Sequence, residues 1–263
     1  MRVWAWVSPG ETELRRVKGR RAALAFLEEN LQGVEVRWMS RESDKPGPRP
    51  GAGLPRGTTG RDLMSNLLKH LDGDGKTQVA SGDVVVVIDD CDCRFGAPEC
   101  AEAGCVERFA EWLHAWRKRV AGTAPGVELV VLLAAPEIES WFVLDWRHGL
   151  GDSLSRCGWN RFEVARARKR IGAEFGAETE RWGVRSSAGA CAAKFSVRLD
   201  GLLAEVAPTG DTERYHKAEH GPQALAALDA STLSRGAKLY FGPEWRRLRA
   251  LCAPPARRRS TRR

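Results

Sequence analysis

Five carboxylates stand directly after two apolar runs. Asp89, Asp90 and Asp92 follow the valines of DVVVVIDDCDCR, and Glu137 and Glu139 follow the run VELVVLL in the stretch LLAAPEIESW. Acids this close repel and raise one another's pKa unless a cation or basic groups neutralise them. Donors that are all oxygen suit a hard ion such as Mg²⁺ or Mn²⁺. The chemistry open to such a set is cation-assisted attack on a phosphoryl group. Further along, YHKAEHGP supplies Lys217 and His220, residue types suited to phosphate binding and proton transfer. His216 and His220 stand four apart and would share a metal on a helix, but Gly221-Pro222 predicts a turn there. Each acid also has a plainer reading. Asp bonds nearby backbone amides in turns, and Glu in a first helical turn complements the helix dipole.

These groups need elements to carry them. Val84–Ile88 is an unbroken β-branched run entered from Ser81-Gly82, the pattern of a strand buried on both faces of a parallel sheet. Ligands of open α/β sheets sit beyond the carboxyl ends of the strands, so the acids fall where a site is expected. Arg2–Val7 alternates Val3, Ala5 and Val7 with Trp4 and Trp6, which predicts a second interior strand. Ser8-Pro9-Gly10 breaks it. Glu11 and Glu13 then lead into a predicted helix through Val17, Leu24, Leu27 and Leu31, with Arg15, Arg16, Lys18, Arg20 and Arg21 on its other face. Val34–Trp38 and Val127–Leu133 read as strands, and Arg61–Leu71 and Val106–Val120 as amphipathic helices. Beyond Gly149 strand signals fade, and Phe162–Phe175, Ala192–Val206 and Pro243–Leu251 are predicted helical. Residues 40–59, rich in Pro, Gly and Arg, read as a mobile surface loop beside the site, either a substrate lid or an idle insertion.

The 263 residues, 43% hydrophobic and 29% charged, describe a folded globular protein. No apolar stretch approaches the ~20 residues that span a bilayer, and no signal peptide opens the chain, so a cytoplasmic protein without a membrane partner is expected. The net charge of +8 is segregated. Acids outnumber bases over residues 1–155, whereas bases outnumber acids by ten to four over 156–198 and by ten to one over 235–263. An acidic part joined to an arginine-rich one suits a polyanionic substrate such as DNA or RNA. The final run to Arg263 reads as a disordered basic tail. Cys91, Cys93, Cys100 and Cys105 crowd one segment and keep a zinc site open, although their spacing lacks the paired C-x2-C knuckle. Cys157, Cys191 and Cys252 read as small hydrophobes.

The order of Gly10-Glu11-Thr12-Glu13, VVVVIDDCD, PEIESW and YHKAEHGP resembles an uncharacterised bacterial family of Toprim-like proteins, akin to the Toprim half of the overcoming-lysogenization-defect nucleases. The resemblance implies an α/β fold, a Toprim-like (Rossmannoid) mostly parallel sheet flanked by helices. On it, residues 1–148 form the Toprim-like domain, 149–252 a helical part packed against it and 253–263 the tail. It also implies a Mg²⁺-dependent nuclease in which Asp89, Asp90, Asp92, Glu137 and Glu139 hold the metal. Asp90, Asp92, Glu137, Lys217 and His220 would then serve in catalysis. The family glutamate stands just before the first-turn glycine, where this chain has Pro9. Either Glu11 or Glu13 substitutes from the helix side, or the site lacks its general acid/base and the protein is a nucleic-acid or protein binding component of a larger complex. A place in bacterial defence against phage, with a protein partner, is implied by analogy alone.

Overall fold

A computed structural model describes residues 1–8, 10–39, 59–73, 78–91, 95, 102–182, 194–208 and 215–253, without the side chains of Glu11, 102–105 and 177–178. The elements run β1 (Val3–Val7), α1 (Glu11–Leu14), β2 (Arg16–Val17), β3 (Arg20–Arg21), α2 (Ala22–Asn30), β4 (Val36–Trp38), α3 (Gly60–Asp72) and β5 (Val84–Asp90). They continue as α4 (Glu102–Thr123), β6 (Glu128–Ala134), α5 (Glu139–Leu144), α6 (Leu150–Arg156) and α7 (Arg161–Phe175). A 3₁₀ turn (Gly176–Arg181), α8 (Phe195–Val206), α9 (Lys217–Ala227), α10 (Ala230–Gly236) and α11 (Phe241–Cys252) complete the described chain.

The four-stranded sheet has the order β4-β1-β5-β6, and every pairing is parallel. The β-branched run sits in its interior as expected, with Val7 opposite Ile88 and Asp90 opposite Ala134. Strand alternation sends Val84, Val86 and Ile88 into one apolar cluster with α2 and α5–α11, and Val85 and Val87 into another with α3 and α4. Each such valine stabilises the fold by roughly 1.5–3 kcal/mol. Trp4 and Trp6 join the second cluster, while Val3, Ala5 and Val7 join the first. At the entry of β5 the buried Asp83 accepts from Arg2 N at 2.9 Å, Trp4 Nε1 at 2.9 Å and Ala80 N at 3.0 Å. Burial raises its pKa, but these bonds and the Arg2 side chain win and hold the carboxyl at about 2. The architecture is α/β, a parallel sheet flanked by helices. Among the described residues no helix is long and apolar enough to cross a membrane.

Two local expectations are overturned. The single helix predicted from Glu11 to Leu31 breaks after Leu14 into the antiparallel hairpin β2-β3 before α2 begins. Lys18 and Gly19 turn it with φ of 50° and 84°. Glycine in a helix interior costs about 1 kcal/mol, whereas it enters the left-handed region freely. The turn predicted at Gly221-Pro222 is instead the middle of α9. Proline cannot donate to the carbonyl four residues back, and that carbonyl, Ala218 O, accepts from the Arg15 guanidinium. A distant cation thus satisfies the group that Pro222 leaves open.

Candidate functional site: a buried carboxylate cluster at the sheet edge

The parallel register brings the carboxyl ends of β1, β5 and β6 to one edge. Past β1 the chain turns at Gly10 into α1, and Glu13 swings back until it is only 3% exposed. Asp89 and Asp90 close β5, the first buried and the second half-buried. Past β6, Ala135 and cis-Pro136 lead to Glu137 and to Glu139 in the first turn of α5, both buried. Facing them is the start of α9, where Lys217 Nζ lies 2.8 Å from Glu139 Oε1.

The electrostatics record this convergence. Burial pushes Glu13 up to about 7, the charges of Glu139 and Asp89 adding to it while a backbone hydrogen bond and Lys217 oppose it. Burial likewise raises Glu139 against the pull of Lys217. Partial burial would lower Lys217, but Glu139, Asp90 and Glu137 outweigh it and hold the ammonium firmly charged. Near neutral pH Glu13 is therefore poised to take or give a proton beside a permanent cation. Buried without a hydrogen-bond partner among the described residues are Thr12 Oγ1, Ser140 Oγ, Tyr215 Oη and Glu139 Oε2.

Two of the acids have structural duties as well. Asp89 Oδ2 accepts from Gly60 N at 2.8 Å at the start of α3, and Glu137 Oε2 accepts from Ser196 N at 3.0 Å at the start of α8. Each complements a helix amino terminus with its charge. His220 contacts neighbours on three sides. Its Nδ1 takes the His216 N–H at 2.9 Å, its Nε2 lies 3.3 Å from Cys157 Sγ, and its ring stacks on Tyr215. His216 occupies the N-cap position of α9 without a side-chain cap bond, and its ring stacks at 6.4 Å on that of His220. Asp92, the side chain of Glu11, residues 40–58, the tail from 254 and Cys191 lie outside the described residues, as do Cys93, Cys100 and the Cys105 side chain. Cys91 and Cys157 are buried, and Cys252 is a half-buried free thiol.

Two contributors carried no signal of their own. Asp200 on α8 is raised by burial and feels Lys217, His216 and Glu137. The Tyr215 hydroxyl is raised by burial and by the charges of Glu139, Asp200 and Cys157. Both are set in place by the packing of α8 and α9 on the sheet edge, which only the tertiary structure reveals. Among the described residues no three His, Cys, Asp or Glu side chains stand in metal-holding geometry. No protein-family model matches the chain, and neither curated proteins nor solved structures yield a match.

Proposed function

We propose that the chain is a divalent-cation-dependent nuclease of Toprim-like type that hydrolyses phosphodiester bonds of DNA or RNA. The observation that carries this reading is a charge imbalance. Glu13, Asp89, Glu137 and Glu139 are buried together, and among the described residues Lys217 is the leading positive charge acting on Glu13 and Glu139. The protein compensates in part by protonation, since Glu13 titrates at about 7. A hard cation would compensate the rest. The donors are of a suitable type, all carboxylate oxygens, and Glu139 Oε2 is buried with no donor among the described residues. No three described carboxylates stand in metal-holding geometry, so Asp92, outside the described residues, would have to complete the set.

Asp90 and Glu139, together with Asp92, would hold such an ion. When bound it supplies Lewis acidity at a phosphoryl oxygen. Glu13 serves as the proton acceptor at its carboxyl, in the place of the family's first-turn glutamate, because its pKa matches neutral pH. Lys217 neutralises charge on the scissile phosphate as water attacks phosphorus and yields its proton to Glu13, while the bond to the leaving sugar oxygen breaks and that oxygen is protonated by solvent. A role in defence against phage, with a partner protein, belongs to this proposal through the resemblance alone.

Nicking of supercoiled plasmid in Mg²⁺ or Mn²⁺ tests it. Asp90→Ala and Glu13→Gln should abolish nicking in folded protein, and calorimetry should detect Mn²⁺ uptake by the wild type. The bonds from Gly60 N and Ser196 N favour a second reading, in which the acids staple helices and the fold only binds nucleic acid. Retention of nucleic acid with no cleavage under any metal selects that reading.

A further inference from the structure

Five of the seven residues from Arg15 to Arg21 are basic, and the structure folds them as the hairpin β2-β3 instead of a helix. Arg16 stands directly across from Arg21. Like charges paired across strands destabilise, and a two-stranded ribbon is marginal to begin with. The arrangement is thus locally unfavourable for the protein alone. Three of the five cations are engaged: Arg15 donates to Ala218 O, Arg20 pairs with Glu28 at 2.9 Å, and the Arg21 guanidinium lies 4.2 Å from the centre of the Trp38 ring. Among the described residues the exposed Arg16 and Lys18 form no ion pair.

The hairpin is tethered to the carboxylate cluster at both levels of structure. Along the chain Arg16 is three residues from Glu13, a span of at most about 11 Å. Across the fold, Arg15 binds Ala218 O, one residue from Lys217. We infer that Arg16 and Lys18 at the hairpin form a docking surface for the phosphate backbone of a nucleic-acid strand, delivering it to the neighbouring acids. This deepens the nuclease reading and rests on it for the kind of polyanion. An anionic membrane fits less well. The large hydrophobics exposed among the described residues are Met1, Phe162 and Val197, none of them on the hairpin, and amphipathic elements need such groups to enter a bilayer.

The test compares wild type with the double variant Arg16→Thr/Lys18→Asn. Threonine suits a strand and asparagine tolerates the left-handed turn position. Anisotropy of a labelled 20-mer of DNA or RNA is measured in EDTA across 50–200 mM salt. The double variant should bind at least ten-fold more weakly at low salt and lose about 2 from the slope of log K against log salt, with a melting temperature equal to or above wild type. Unchanged affinity and slope would overturn the inference. So would wild type that binds anionic phospholipid vesicles but no oligonucleotide. Mn²⁺ uptake, measured separately, keeps the two proposals apart. If wild type takes up no Mn²⁺ while the variant still loses oligonucleotide, docking stands and the nuclease reading falls. If Mn²⁺ binds and the variant holds oligonucleotide normally, docking falls alone.

Discussion

The carboxyl of Glu13 fills the space that a side chain on Gly10 would need: an ideal Cβ there lies 2.0 Å from Glu13 Oε2. The first-turn glycine thus makes room for an acid arriving from the helix side. Gly10→Ala should displace the end of a flexible side chain and leave the backbone in place. The expected result is a folded protein in which Glu13 titrates nearer its ordinary 4.5 than 7. Carbon-13 NMR of the glutamate carboxyls reads this directly, and a titration still centred near 7 would refute the packing relationship.

The raised pKa of Glu13 also predicts a pH dependence of stability. A folded state that binds its proton more tightly than the unfolded chain gains stability at low pH. That contribution is full below about 4.5 and is lost progressively as pH rises to about 7. Glu13→Gln mimics the protonated acid. Urea denaturation should find the variant close to wild type at pH 4.5 and more stable at pH 8, by on the order of a few kcal/mol. Equal stability at both values would contradict the burial assigned here.

Removing the ammonium should matter in the opposite sense. Lys217→Met leaves Glu139 buried without its partner, a change that costs about 3 kcal/mol or more when the orphaned charge persists. The loss should be largest at high pH and shrink as the pH falls and the raised Glu139 carboxyl takes up a proton. Adding Glu139→Gln should restore most of the stability, and a double-mutant cycle followed by thermal melts measures the coupling.

Asp83 governs the acid limb. Its pKa of about 2, against an ordinary 3.8, means stability that is present above about 4 and lost as pH falls towards 2. Asp83→Asn should cost about 2 kcal/mol at pH 7 and flatten the stability profile over that window. Unfolding midpoints between pH 2 and 5 decide it.

Much of the sheet is legible in the sequence because its signal is local. The period of two in Val3–Val7 and the unbroken valines of β5 need no knowledge of distant residues, and the acids at the strand ends follow from them. The hairpin is not legible in the same way. Val17, Leu24, Leu27 and Leu31 happen to fall at helical spacing, and only Gly19 hints at the turn. Nor could Pro222 be placed inside a helix, since its tolerance depends on Arg15, more than two hundred residues earlier. The site follows the same division. Asp89, Asp90, Glu137 and Glu139 can be located at the rim from strand order. That Glu13 reaches the cluster depends on how closely α1 approaches α9, where Gly221 presents only hydrogen towards Thr12, with 3.0 Å left for a Cβ.

The placement of Lys217 has a bearing on how the molecule is made. A ribosome delivers Glu13, Asp89, Asp90, Glu137 and Glu139 well before it delivers the lysine that offsets them. Until α9 has been translated and has docked, the nascent acids must stay hydrated or hold protons, and the rim cannot close. A polypeptide terminated before Lys217 therefore lacks the cation that offsets these acids.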